Sequence, residues 1–99
     1  MLRITVEKKG GVITFRLEGK LQGEWVAELE RCWIFARNTS PTRQLCIDLS
    51  SVDFVDESGK TLLVRMVLQN VKLYASNPMM ASFVNEIKRL STGQVCTTR

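Results

Sequence analysis

The amino-acid sequence predicts one small α/β domain with a mixed β-sheet. Its N-terminal edge strand is expected to be antiparallel, the remaining strands largely parallel, and the helices mainly on one face. The chain has 99 residues, which suffices for one domain. Apolar runs with period two alternate with runs of period three to four, in the order ββαβαβα. Strands that alternate with helices are usually joined by right-handed parallel crossovers.

The first two strands form the predicted antiparallel part of the sheet. Leu2, Ile4 and Val6 alternate with polar residues, which is typical of a strand with one solvent-facing side. The Lys-Lys-Gly-Gly turn at residues 8–11 is followed by a second alternating run at 13–18. The two runs predict a hairpin, and the exposed first strand is a candidate surface for homodimer formation.

The first helix follows a predicted connection at residues 18–23. Trp25, Leu29 and Trp33 recur at steps of four residues among charged residues, which predicts an amphipathic helix of three to four turns. Large aromatic side chains at helical spacing usually pack in the core, so both tryptophans are expected to anchor the helix to the sheet. Turn-forming residues at 38–42 end it.

The middle of the chain predicts a central strand and a loop. Residues 45–49 are a short apolar run bounded by turn residues, which fits a strand buried on both faces. A loop is expected at 50–56, with Val52, Phe54 and Val55 available to contact the core.

Two more helices and a short strand follow this loop. Asp56 is the expected N-cap of a second helix that begins near Glu57. A third buried strand is predicted at 71–75. Asn77 and Pro78 then predict the start of a third helix, since asparagine caps helices and proline favours the first helical position.

Domain boundaries and location follow from the same patterns. Residues 1–90 are expected to form the domain, and the polar, unpatterned residues 91–99 a flexible C-terminal tail. The N-terminus does not resemble a secretory signal, and no apolar run approaches the length that crosses a bilayer. The three cysteines are widely spaced and form no disulfide pattern, which suits a reducing, cytoplasmic compartment.

Composition argues against nucleic-acid binding and against most catalytic chemistry. The net charge of +4 is scattered along the chain, whereas nucleic-acid binders usually cluster it. The absence of histidine removes the commonest general base and metal ligand. No phosphate-binding or nucleophile motif is present. Asp53, Asp56 and Glu57 could be an acid pair or a magnesium site, but turn and cap roles are favoured. We expect no enzyme, cofactor or metal.

The stretch from Asp48 to Leu63 carries the strongest functional signal. A buried strand ends in Asp-Leu-Ser, an apolar-Asp-apolar-apolar segment follows, and Asp-Glu-Ser-Gly opens an apolar helix. This stretch resembles the signature of the STAS family of sulfate-transporter domains and anti-sigma-factor antagonists. The Leu-Glu-Gly-Lys-Leu run at 17–21 and the Ala-Ser-Asn-Pro run at 75–78 are similar to flanking family segments. The likeness covers about residues 2–90.

The resemblance implies a bacterial, cytoplasmic regulatory module that binds another protein. In antagonists of this family, phosphorylation of a serine at the start of the second helix switches docking on a kinase-type anti-sigma factor. Glu57 stands at that serine's position, so the usual switch should not operate there. Its carboxylate either holds a partly phosphorylated-like state or is an ordinary first-turn residue. Ser58 matches the second serine and is the candidate hydroxyl for phosphorylation. Lys60 replaces an apolar residue and could pair with Asp56, Glu57 or a partner's acid.

The expected docking face lies around residues 20–23 and 56–60. Two other functions stay open. One is an accessory subunit of a membrane transport complex, and the other is a nucleotide- or anion-binding domain at the helix N-terminus. The residues assigned to the face are Lys20, Gln22, Gly23, Asp56, Glu57, Ser58, Gly59 and Lys60.

Overall fold

The structure is a computed structural model that describes the backbone of residues 2–97 and the side chains of residues 2–90. Its elements follow the predicted order ββαβαβα. They are β1 (Leu2–Lys9), β2 (Val12–Leu21), α1 (Glu24–Thr39), β3 (Gln44–Val55), α2 (Glu57–Leu68), β4 (Lys72–Tyr74) and α3 (Pro78–Thr97).

The strands form one four-stranded sheet in the order β1-β2-β3-β4. β1 pairs with β2 in the antiparallel direction, whereas β2–β3 and β3–β4 are parallel. The predicted fold class is therefore confirmed, including the antiparallel edge strand. The carboxyl ends of β2, β3 and β4 consequently lie along the same edge of the sheet.

The core lies on one face of this sheet. Phe15, Ile47 and Leu73 occupy one row across three strands, and all three are buried. On β3, the residues on either side of Ile47 are Cys46 and Asp48. Both are only partly buried because they face the opposite side of the sheet. The expectation that the central strand is buried on both faces is wrong, since the buried strand residues and the helices form a single core on one side.

Each helix contributes an apolar stripe to that core. In α1, Trp33 is buried and Trp25 is partly buried against the cluster, which agrees with their predicted role as anchors. The buried stripe of the three helices consists of Val26, Leu29, Trp33 and Ala36 from α1, Leu62, Leu63 and Met66 from α2, and Met80, Val84 and Ile87 from α3.

β3 is longer than the sequence pattern indicates. Residues 50–55, expected as a loop, continue the strand, and residues 18–21, expected as a connection, continue β2. Ser51 lies opposite Glu18 and Val55 opposite Leu21, with two register irregularities between them. The backbone N–H and C=O groups of residues 18–21 and 50–55 find hydrogen-bonding partners in each other. Neither segment alone could satisfy these groups. This pairing extends the sheet almost to the first residue of α2.

The third helix begins as predicted and runs further. The Asn77 side chain accepts a hydrogen bond from the Met80 amide at 2.8 Å, and its Nδ2 donates to the Ser50 carbonyl at 2.7 Å. α3 continues to Thr97, and the flexible tail expected at residues 91–99 stays a prediction. Residues 98–99 lie outside the described part of the chain.

Candidate functional site

The candidate site lies where β2 and β3 end and two helices begin. Only Gln22 and Gly23 separate β2 from α1, and only Asp56 separates β3 from α2. Because β2 and β3 are parallel, these two short connections meet at the same edge of the sheet. The N-termini of α1 and α2 therefore lie side by side, with their first amides near the surface.

Asp56 joins the two connections. Its Oδ1 accepts a hydrogen bond from the Gly59 amide at 2.8 Å, which is the predicted N-cap of α2. Its Oδ2 accepts one from the Gly23 amide at 3.0 Å, 33 residues away in the sequence. Its own amide donates to the Leu21 carbonyl at 3.1 Å. One carboxylate thus ties the starts of both helices together.

These hydrogen bonds favour the ionised carboxylate. The amides of Gly23 and then Gly59 hold the pKa of Asp56 below its ordinary value, with a smaller contribution from the Ser58 hydroxyl. The Ser58 Oγ donates to Asp56 Oδ1 at 3.0 Å. Asp56 is consequently a structural anion, whose lone pairs are already directed at groups of its own chain.

Two glycines allow this arrangement, for different reasons. Gly23 has φ 56° and ψ −130°, a conformation that residues with a side chain rarely adopt. Gly59 is buried, and a Cβ atom there would lie 3.0 Å from the Leu21 carbonyl oxygen and 2.9 Å from a Val55 methyl group. The first glycine permits the sharp entry into α1, and the second lets α2 approach the end of β2.

The structure places the remaining predicted site residues in different environments. Glu57 and Ser58 are exposed at the first turn of α2, so this part of the Asp-Glu-Ser-Gly segment is open to solvent. Lys60 is partly buried, and its Nζ lies 3.3 Å from Glu86 Oε2 of α3. Of the partners considered for Lys60, neither Asp56 nor Glu57 is the one observed, because α3 brings a closer carboxylate to it.

Phe54 is a surface residue, and the expectation that it contacts the core is wrong. It lies opposite Lys20 in the β2–β3 register, next to the inward-facing pair of Leu21 and Val55. Successive residues of a strand point to opposite faces, so Phe54 and Lys20 point away from the core. Phe54 is 46% exposed. The alternation of inward and outward side chains along a strand predicts that Phe54 is exposed, but only once residues 50–55 are assigned to the strand.

The described residues include two partly buried cysteine thiols, Cys32 and Cys46. Burial raises the pKa of the Cys32 and Cys46 thiols, which disfavours the thiolate needed for nucleophilic attack. Among the side chains that the structure describes, no three histidine, cysteine or acidic groups are placed to hold a metal ion. Within the described helices, none is long and apolar enough to cross a membrane.

Fold and site together define a small mixed-sheet α/β domain in which an exposed helix start, Glu57 and Ser58, follows a central strand almost directly. The model of the STAS domain family matches residues 3–89. The chain therefore belongs to the STAS domain family, as its central motif indicates. No curated protein matches the sequence.

Three solved structures show the same fold at low sequence identity. The anti-sigma factor antagonist SpoIIAA in its unphosphorylated form has TM-score 0.64 and 16% identity, with 82% of this chain and 80% of that chain covered. An uncharacterised protein with a SpoIIAA-like fold from Shewanella loihica PV-4 has TM-score 0.55 and 15% identity, with coverages of 80% and 70%. A structure of Mglu has TM-score 0.59 and 20% identity over 75% of this chain. The chain spans about a fifth of the length of two Mglu structures that it matches, 19% and 22%.

Proposed function

We propose that this chain is a non-enzymatic regulatory module that binds another protein through the edge where α1 and α2 begin. The observation that carries the proposal is the rigid display of Glu57 and Ser58: both are exposed, and the residues on either side of them are held by the hydrogen bonds of Asp56. A pre-organised surface loses less conformational entropy when a partner binds. Membership of a family that includes anti-sigma-factor antagonists supports a protein partner.

The proposed docking face combines charge with one aromatic side chain. Glu57 supplies a negative charge, Lys20 a positive one, and Phe54 an exposed apolar surface next to Lys20. Exposed aromatic residues are frequent energetic centres of protein interfaces. Gln22 and Gly23 lie on the adjoining connection, Gly59 is buried, and Lys60 is paired with Glu86. These four residues shape the face more than they contact a partner.

Affinity capture with matched variants tests this face. The wild-type protein should retain a specific partner from a lysate of its source cells. Glu57→Lys and Phe54→Ser should each reduce retention at least about tenfold if they lie at the centre of the interface. Lys9→Glu is the control, since it reverses an exposed charge at the far end of the β1–β2 hairpin. Equal retention by all variants would contradict the proposed face.

The role of Glu57 separates into two testable alternatives. If its charge imitates a phosphoserine, Glu57→Gln should change partner affinity while the folded protein stays intact. If Glu57 only stabilises the first turn of α2, the same substitution should lower the free energy of unfolding by about 0.3–1 kcal/mol and leave partner affinity unchanged. Isothermal titration with the captured partner and urea denaturation measure the two quantities.

Ser58 is the proposed modification site. Its Oγ now donates to Asp56, and a phosphoester oxygen could no longer donate. A phosphate of charge about −1.5 to −2 would also lie beside the Asp56 carboxylate. Phosphorylation should therefore loosen the link between the two helix starts. Intact-mass spectrometry of protein isolated from its source cells, with Ser58→Ala as control, tests whether the modification occurs.

Two alternative functions make different predictions. As an accessory subunit of a transport complex, the chain would co-purify with an ATPase or a permease. As a nucleotide- or anion-binding domain, it would melt at a higher temperature in the presence of millimolar ligand. The exposed carboxylate of Glu57 at the helix start disfavours an anionic ligand, because it repels the charge that the amides attract.

A further inference from the structure

β1 is an edge strand with a free hydrogen-bonding side. It contains eight residues, pairs only with β2, and forms one end of the sheet. Among the described residues no strand or helix covers its outer edge. A long exposed edge of this kind is a template for pairing with another strand.

The charges of β1 suit antiparallel pairing with itself. We propose that this edge binds β1 of a second copy of the chain, centred on Thr5, to form a symmetric dimer. In that register Arg3 lies opposite the partner's Glu7, and Glu7 lies opposite the partner's Arg3. Both charge pairs are on the polar face, since odd-numbered residues of β1 point away from the core. Opposite charges at facing positions stabilise a strand pair.

Neighbouring registers are less favourable. Centring the pair on Val6 would place Arg3 opposite the partner's Lys9, and centring it on Glu7 would place that residue opposite its own copy. Like charges at facing positions destabilise a strand pair. Centring it on Ile4 would leave Arg3 opposite the partner's Thr5 and would pair fewer residues. The sequence of β1 therefore selects the register centred on Thr5.

Existing intrachain ion pairs would extend into the partner. Glu18 lies 3.5 Å from Arg3, and Arg16 lies 3.2 Å from Glu7, both measured between charged atoms. The partner's Glu7 would approach Arg3 from the side opposite to Glu18. Charges of alternating sign would then run across the joined sheets, which contain four strands from each copy.

The core-facing side of β1 has an apolar surface that the same dimer would cover. A cavity of about 380 Å³ lies between the first hairpin and α1, lined mainly by apolar groups that include Ile13, Phe15 and Cys32. At its margin Val6 is 47% exposed and Phe35 of α1 is 71% exposed. In the proposed register Val6 faces the partner's Ile4, and the two α1 helices lie on the same face of the joined sheet. The second copy would thus shield an apolar surface that is continuous with the free strand edge.

Charge reversal provides a test that is specific for the register. Sedimentation equilibrium should show wild-type protein associating to a dimer as its concentration rises. Arg3→Glu gives β1 negative charges at both positions 3 and 7, and Glu7→Arg gives it positive charges at both. Each variant alone should show a dimer dissociation constant at least about tenfold higher, because both symmetry-related pairs become repulsive. An equimolar mixture of the two should form a heterodimer, since every facing pair is again of opposite sign.

Controls separate association from folding. Arg65→Glu disrupts the Arg65–Glu30 pair between α2 and α1, away from β1, and should dimerise like the wild type. Circular dichroism should show each variant folded. Wild-type protein that stays monomeric at all concentrations would overturn the proposal, as would variants that dimerise normally or a mixture that stays monomeric. The test uses no residue of the proposed docking face, so its failure leaves the proposed function untouched.

Discussion

Replacement of Gly59 by alanine tests how tightly α2 approaches the end of β2. In most helix positions this substitution is stabilising by about 0.8–1 kcal/mol, because glycine loses more backbone entropy on folding. Here the new Cβ would lie 2.9 Å from Val55 Cγ1, 3.0 Å from the Leu21 carbonyl oxygen and 3.2 Å from Leu21 Cγ. The carbonyl oxygen belongs to the backbone of a paired strand and cannot rotate away.

The expected effect is therefore a loss of stability. Overpacking of a buried site costs about 1–3 kcal/mol. Displacement of the Leu21 carbonyl would also weaken the hydrogen bond that it accepts from the Asp56 amide, worth about 0.5–1.5 kcal/mol. After subtraction of the helix-propensity gain, Gly59→Ala should lower the free energy of unfolding by about 1–3 kcal/mol.

Urea denaturation measures this difference, with the midpoint and the slope of the transition determined for each variant. Gly11→Ala is the matched control, since a Cβ there has no atom within 4 Å and its φ is not in the positive range. The free energy of unfolding of Gly11→Ala should lie within about 0.5 kcal/mol of the wild-type value. The reasoning is refuted if Gly59→Ala is as stable as the wild type, or more stable, with an unchanged slope.

Three further predictions concern the contacts around the site. The pKa of Asp56 is lower in the folded chain than in the unfolded one, so its contribution to stability is complete above about pH 4 and disappears as the pH falls through the folded-state value. Asp56→Asn should consequently lose less stability than the wild type on acidification below about pH 4; equal acid sensitivity in urea titrations would contradict this. Asn77→Ala should lower the free energy of unfolding by about 1–2 kcal/mol, since it removes both the cap of α3 and the Nδ2 hydrogen bond to the Ser50 carbonyl. Asn77→Ser keeps a capping hydroxyl but not the Nδ2 donor, so it should lose less; equal losses in the two variants would argue against capping. Lys60→Met should change stability by less than about 1 kcal/mol in thermal unfolding, since the Lys60–Glu86 pair is partly solvated; a larger loss would show that the pair is stronger than its exposure suggests.

Short-range patterns in the sequence determined much of this protein. Alternation with period two located β1 and the first part of β2, and the three- to four-residue spacing located the stripes of all three helices. Asp56 and Asn77 were identifiable as N-caps because a cap bonds an amide only three residues away. The chemistry of such contacts is contained in a few consecutive residues. The stretch from Asp48 to Leu63 likewise carries the resemblance to the STAS family in its residue types and spacing alone.

Other features depended on tertiary structure, since they join segments that are far apart in the chain. Residues 50–55 became strand only because the end of β2 supplied hydrogen-bonding partners, and that pairing turned Phe54 outward. Asp56 reached Gly23 only because two parallel strands end side by side, and Lys60 met Glu86 only because α3 packs beside α2. The local sequence shows which polar groups need a hydrogen-bonding partner. The tertiary structure determines which distant group comes within hydrogen-bonding distance of each.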